Sequence, residues 1–103
     1  MPGTAFAVEV RTDQDTTLLL TGDVNRAAQA GIDEAYADSV GGPGRLILDF
    51  ADVEFINSTG IALIVGLLAK ARASGRIVIA RGLTEHYREV FRITRLSDFL
   101  EME

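Results

Sequence analysis

The chain has no cysteine and only one histidine, and these two scarcities exclude several kinds of site. Without cysteine it can form no disulfide, offer no thiolate nucleophile and build no cysteine-bound metal centre. The histidine, His86, lies in a polar stretch typical of a solvated helix. A serine nucleophile needs a base within hydrogen-bond reach, and no clustered ligands suggest a metal. We therefore expect no catalytic activity, no metal and no cofactor.

Basic residues are also in the minority, with ten Lys and Arg against fifteen Asp and Glu, giving a net charge of −5. Because no basic stripe is available to neutralise phosphates, we expect neither nucleic-acid binding nor direct binding to an anionic membrane. The most apolar run, residues 61–68, is far shorter than the ~20 residues that span a bilayer. The first ten residues lack the pattern of a signal peptide, so we expect a cytoplasmic protein.

The length of 103 residues, 48% of them hydrophobic, predicts a single domain, residues 1–103, with its own core. Hydrophobic periodicity predicts an α/β fold: a mixed sheet of four to five strands with helices packed mainly on one face. The order is strand–strand–helix–strand–helix–strand–helix–strand. The predicted strands are residues 5–10, 18–20, 45–49 and 77–79, with a short one at 99–100; the predicted helices are residues 25–40, 58–74 and one that begins after Thr84.

Connections between these elements indicate how they pair. A short polar link predicts that the first two strands form an antiparallel hairpin, and residues 45–79 predict a parallel, right-handed strand–helix–strand unit. Residues 21–25 are expected to break the second strand, and residues 50–56 to form a loop. The glycine-rich residues 41–44 lack the Lys-Ser/Thr of a phosphate-binding loop, so a plain connection is favoured.

Residues 45–75 carry the candidate site. Ser58 is predicted to cap the second helix, where its oxygen would be exposed at the positive end of the helix dipole. The inward face is predicted to consist of residues 63, 64, 67, 68 and 71, and polar residues appear only from Lys70 onward. The first half of the helix is therefore expected to expose apolar or small side chains, which is typical of a partner-binding surface. The alternative is that the segment after Gly22 covers it.

A serine at a helix start is also a candidate phosphoacceptor. Phosphorylation would add about −1.5 to −2 charge where the dipole tolerates it, and that charge would spoil an apolar docking surface. On the residues alone, a purely structural cap remains an alternative interpretation of Ser58.

Three segments resemble a known family. They are residues 20–25 (LTGDVN), residues 48–61 (LDFADVEFINSTGI) and residues 75–80 (GRIVIA) with residues 93–96 (ITRL). The middle segment is the most specific. Together they resemble the STAS domain proteins, in particular the free-standing anti-anti-sigma factors, or anti-sigma factor antagonists, of bacterial partner-switching systems. Asn25 and Asn57 stand where this family usually has aspartate.

The resemblance implies a non-catalytic regulator of transcription in a stress response. It would bind an anti-sigma factor, itself a serine kinase with a histidine-kinase-like ATPase fold, and so release a sigma factor. That kinase would phosphorylate Ser58, and a PP2C-type phosphatase would reverse the reaction. The implied partner-binding surface comprises Gly22, Asp23, Val24, Asn25, Asn57, Ser58, Thr59, Gly60, Ile61, Ala62 and Val65.

Two other functions stay open. The two asparagines motivate a STAS module that is not phosphorylated and serves as a subunit of a transporter, for example for lipids, or as a scaffold. An exposed serine at a helix start motivates a small hydrolase that uses Ser58.

Overall fold

The computed structural model describes residues 3–103 and contains one mixed five-stranded sheet, in which the strands lie side by side in sequence order. The first two strands are antiparallel, and each later strand is parallel to its neighbour. Met1 and Pro2, which the predicted domain includes, lie outside the described residues. The elements are β1 (Ala7–Thr12), β2 (Thr16–Val24), a 3₁₀ turn (Arg26–Ala28), α1 (Gln29–Ser39), β3 (Leu46–Ile56), α2 (Ser58–Ala73), β4 (Val78–Arg81), α3 (Glu85–Ile93), a 3₁₀ turn (Leu96–Asp98) and β5 (Glu101–Met102).

All three helices lie on one face of the sheet, and the strand order explains why. Each helix connects a strand to the next parallel strand on the same side, and right-handed crossovers that step in one direction return over one face. The core accordingly joins alternate strand residues, such as Leu18 and Leu48, to Ile32, Leu67 and Phe91 of the helices. The predicted fold class is confirmed.

The opposite face of the sheet carries none of these helices. Ile47 and Ile79 are nevertheless 3% and 1% exposed. They are cross-strand neighbours, Thr17 pairs with Ile47 from β2, and Arg81 lies beside them. The apolar run at residues 46–48, which favoured a sheet covered on both faces, therefore reflects cross-strand shielding rather than a second layer of helices.

Two strands are longer than their apolar runs. Residues 21–24 were expected to break β2, and residues 50–56 were expected to be a loop, but both segments continue their strands and pair with each other. The pairing contains register shifts, and Gly22 has the positive φ of 82° that such an irregularity needs. Polar residues such as Asp52 and Glu54 are exposed on this extension, so its composition resembles that of a loop.

Smaller boundary errors have local causes. β4 starts one residue late, because Ile77 is exposed and only Val78 enters the core. Val40 has extended backbone and is 63% exposed, so it ends α1 instead of extending its buried face. β5 follows the predicted residues 99–100 because Phe99 closes a 3₁₀ turn and Leu100 is buried.

Arg76 closes the end of the sheet at which β2 and β3 begin. Its guanidinium donates hydrogen bonds to the carbonyl oxygens of Ser39 (2.7 Å) and Gly42 (3.0 Å) and to Thr16 Oγ1 (3.0 Å). The glycine-rich connection after α1 is thus held by an arginine through its own backbone.

Asp15 ties the β1–β2 hairpin to the start of β3. Its Oδ1 accepts from the backbone N–H of Arg45 at 2.8 Å, and its Oδ2 accepts from Arg45 Nη2 at 3.0 Å. The side-chain hydrogen bond from Arg45 is the largest cause that lowers the pKa of Asp15 below its ordinary value of 3.8. Folding therefore favours the ionised form of this carboxyl.

This pair predicts a pH-dependent stability. A carboxyl whose pKa is lowered by folding stabilises the protein above its unfolded pKa, and this contribution is lost as the pH falls through the folded pKa. We expect Asp15→Asn to lower the free energy of unfolding at pH 7, and the difference from wild type to shrink below about pH 4. Urea unfolding over a pH series measures it. Glu54→Gln, an exposed carboxyl on β3, is the control; a loss for Asp15→Asn that stays constant down to pH 2 would contradict the assignment.

Candidate functional site

The ends of β2 and β3 bring two asparagine caps side by side. Val24 pairs with Ile56 in the last register position, and the backbone N–H of Asn57 donates to Val24 O at 3.2 Å. Asn25 Oδ1 accepts from the N–H of Ala27 at 3.0 Å and so begins the turn into α1. Because parallel strands end at the same edge of a sheet, the starts of α1 and α2 meet there.

Asn57, rather than the predicted Ser58, is the N-cap of α2. Asn57 has extended backbone, and its Oδ1 accepts from the N–H of Gly60 at 2.8 Å. Ser58 is the first helical residue and is exposed, and its hydroxyl makes no hydrogen bond within residues 3–103. The hydroxyl is therefore accessible to solvent at the positive end of the helix dipole.

Gly60 fixes the position of the first turn of α2. A Cβ on Gly60 would lie 2.0 Å from the carbonyl oxygen of Val24, so only glycine permits this approach of the helix to the end of β2. Gly66 differs, because a Cβ there would have open space around it. Close internal approach thus explains the first of these glycines but not the second.

The predicted site residues divide into three groups by exposure. Four are buried and shape the strand ends and the helix start: Gly22, Asp23, Val24 and Gly60. Three are half-buried: Asn25, Asn57 and Ile61. Four are exposed, and we call these four the α2 surface: Ser58, Thr59, Ala62 and Val65. The structure brings all three groups to one end of the sheet, but only the α2 surface and the half-buried group present side chains.

The outer side of α2 is uncovered within the described chain. Val65 is 46% exposed, and Ala62 and Gly66 are exposed as well. The alternative in which the segment after Gly22 covers this side is therefore wrong. The predicted inward face is confirmed at residues 64, 67, 68 and 71, and Leu63 is half-buried at its border.

Asp23 lies inside the protein although the sequence suggested a surface position. It is 4% exposed, and its Oδ1 is buried without a hydrogen-bond partner among the described residues. Its backbone N–H donates to Thr4 O at 3.0 Å, so the segment before β1 runs across the end of β2. An unsatisfied buried oxygen costs about 1–3 kcal/mol, and the remaining structure must hold this one in place.

Tyr87 fixes the end of β3 from the opposite side. Its hydroxyl accepts from the N–H of Ile56 at 2.9 Å and lies 3.4 Å from Ile56 O, so it contacts the residue that precedes Asn57. Sequence analysis placed Tyr87 on the buried face of the third helix but missed this role. No local pattern could have found it, because the two residues are 31 positions apart.

His86 does not approach Ser58 through any hydrogen bond of the described chain. Its ring packs edge-on against Tyr87, with 4.9 Å between the ring centroids. Residues 3–103 contain no group of three or more His, Cys, Asp or Glu arranged to hold a metal ion. None of the helices described here combines the length and apolar character needed to cross a membrane.

The family model described as "Mlab, STAS domain" matches residues 8–101. The chain belongs to the STAS domain family. No curated protein matches it in sequence.

Solved structures share the fold of this STAS domain. The anti-sigma factor antagonist SpoIIAA of Bacillus matches in its unphosphorylated form (TM-score 0.72, 22% identity, 96% of this chain and 87% of that one) and in its phosphorylated form (0.66, 23%, 96% and 91%). An anti-sigma factor antagonist from Mycobacterium paratuberculosis matches at 0.70 and 22% (99% and 89%). The Thermotoga maritima protein TM1081 matches at 0.77 and 20% (100% and 83%).

The cap of α2 in this STAS domain can be tested by stability. We expect Asn57→Ala to lower the free energy of unfolding by about 1 kcal/mol, because the N–H of Gly60 loses its acceptor. Ser58→Ala removes a hydroxyl that accepts no such bond and should change the value little. Urea unfolding of both variants compares the adjacent positions; an equal or larger loss for Ser58→Ala would contradict the cap.

The two glycines of α2 should respond in opposite directions. Gly60→Ala forces a methyl group against Val24 O, and we expect a loss of about 1–3 kcal/mol. Gly66→Ala meets no atom within 4 Å and should stabilise the domain by about 0.5–1 kcal/mol through helix propensity. Thermal and urea unfolding measure both. Similar effects of the two substitutions would show that the contact between α2 and β2 is not the constraint.

Proposed function

We propose that this STAS domain is an anti-sigma factor antagonist: a binding protein, not an enzyme, that holds an anti-sigma factor on the α2 surface and so releases a sigma factor. Phosphorylation of Ser58 switches the binding off. The observation that carries the proposal is the exposed Ser58 hydroxyl in direct continuity with the uncovered apolar residues Ala62 and Val65.

The spacing of these residues suits a partner that lies along the helix. Ser58, Ala62 and Val65 occupy positions i, i+4 and i+7, so they form one stripe on the outer side of α2. Ala62 and Gly66 are small, which allows close approach of a partner to the backbone. An apolar stripe that is covered only in the complex gives binding energy in proportion to the apolar area it buries.

A phosphate on Ser58 would remain compatible with the fold. It would lie in the first turn of α2, where the helix dipole favours negative charge by about 0.3–1 kcal/mol. The flanking caps, Asn25 and Asn57, are uncharged and add no repulsion toward a dianion. The same phosphate is charged and hydrated, so it opposes burial of the neighbouring stripe in an interface. The domain can thus stay folded while its binding surface changes.

The proposed partners follow from this switch. The anti-sigma factor is a serine kinase with a histidine-kinase-like ATPase fold, and a PP2C-type phosphatase restores the free hydroxyl. Membership of the STAS family supports this assignment. The occurrence of SpoIIAA, which shares the fold, in phosphorylated and unphosphorylated forms supports it further.

Charge at Ser58 should control partner binding. We expect Ser58→Asp to weaken binding of the anti-sigma factor at least tenfold, because a carboxylate at the end of the stripe must be desolvated in the complex. Ser58→Ala should bind like wild type. Pull-downs and titration calorimetry with the purified anti-sigma factor measure this, and mass spectrometry after incubation with that kinase and ATP should find one phosphate, on Ser58.

The matched control is Ala37→Asp, which adds the same charge at an exposed position of α1 and should leave binding unchanged. Phosphate on another residue, or equal binding by wild type and Ser58→Asp, would contradict the proposed switch. Recovery of a permease and its ATPase in place of an anti-sigma factor would favour the transporter role instead.

A further inference from the structure

β1 leaves one side of its backbone unpaired. Within residues 3–103 it pairs only with β2, and its register is unbroken from Ala7–Thr21 to Thr12–Thr16. Natural edge strands are often protected by proline, lysine or a bulge, and β1 has none of these. Its one charged pair, Glu9 and Arg11, is internally neutralised at 2.6 Å. The edge is therefore regular and open to another strand.

The hydrogen bonds of β2 show which of its residues face β1. The N–H of Thr16 donates to Arg45 O at 3.0 Å, so Thr16 directs its backbone groups toward β3. Backbone groups alternate in direction along a strand, so Leu18 also faces β3. Thr17 and Leu19 then direct theirs toward β1.

The orientation of β1 follows from this alternation. Thr17 and Leu19 stand opposite Arg11 and Glu9, which are therefore the residues of β1 bonded to β2. Val8, Val10 and Thr12 consequently direct their N–H and C=O groups away from the sheet. These three residues offer the pattern of donors and acceptors that an added strand requires.

A groove of about 570 Å³ runs beside this edge, between β1 and α1. Its floor is apolar or small: Val8, Val10, Gly31 and Ala35. Its rim carries Glu34 and Asp38. Both carboxylates are exposed, and neither makes an ion pair within the described part of the chain. The groove thus combines an apolar base with two uncompensated negative charges.

We propose that the open edge of β1 accepts an extended segment of another protein that carries lysine or arginine at alternate positions. The segment adds a strand to the sheet by pairing with Val8 and Val10. Its basic side chains lie over the groove, with their aliphatic stems on the apolar floor and their charged ends at Glu34 and Asp38. This binding site shares no residue with the α2 surface.

Charge distinguishes such a partner from a second copy of the chain. Two copies joined through β1 would place their α1 helices on the same face of one continuous sheet. Glu34 and Asp38 of both copies would then border the same joint, with no basic residue among those that line the groove. Like charges at close range are unfavourable, so a basic segment fits the edge better than self-association.

The test uses a short peptide that alternates valine and lysine, with a peptide that alternates valine and glutamate as its matched control. Amide hydrogen exchange is followed by NMR on the whole chain. In the free protein the amides of Val8 and Val10 should exchange quickly and those of Glu9 and Arg11 slowly. The lysine peptide should slow Val8 and Val10, and the glutamate peptide should not.

Charge reversal sharpens the test. The double variant Glu34→Lys/Asp38→Lys should bind the lysine peptide about tenfold more weakly, the loss expected from two surface ion pairs, and should gain affinity for the glutamate peptide. The variant Asp52→Lys/Glu54→Lys makes the same net change at exposed positions of β3 and should bind as wild type does. Val10→Pro removes an outward N–H but no donor to β2, and should abolish binding.

Four results would overturn the proposal. They are no change in exchange on adding the lysine peptide, protection confined to amides of α2, equal peptide affinities of the two charge-reversed variants, and protection of Val8 and Val10 by dimerisation of the protein alone.

Discussion

The handedness of strand crossovers is the constraint on which this molecule depends. Each helix connects neighbouring parallel strands in a right-handed sense, and every step goes the same way across the sheet. One face therefore receives all the helices, and β1 and β5 are left as edges. The carboxyl ends of β2 and β3 become neighbours, so the helix starts capped by Asn25 and Asn57 must meet. The location of the candidate site is thus a property of strand order before it is a property of any side chain.

Much of this could be predicted from the sequence because periodicity and cap residues are local signals. The order of elements and the caps Asn25 and Thr84 were predicted from such signals, and the structure contains them. The lengths of β2 and β3 were not predicted, because partners about 30 residues away decide whether a polar segment such as residues 52–54 forms a strand. Asn57 and Ser58 are adjacent and equally suited to capping, so only the backbone conformation distinguishes them.

The candidate site was predicted as a neighbourhood but not as a surface. Glycine and aspartate near a turn usually indicate exposure, yet Gly22 and Asp23 are buried because the segment before β1 crosses them. A Cβ on Gly22 would lie 2.2 Å from Ala5 O. The motif therefore contains both residues that present themselves and residues that shape the support beneath. Only tertiary packing separates the two, since both lie in the same short segments of sequence.

The hydrogen bonds of Arg76 give the two ends of the sheet different mechanical characters. At its end, one guanidinium joins segments that lie 34 to 60 residues away along the chain, so that end can open only if most of the domain unfolds. At the other end, single bonds such as Asn57 N–H to Val24 O hold the strand ends. Fraying should begin there and stop before the core. The domain behaves as a lever clamped at one end, and its free end carries Ser58.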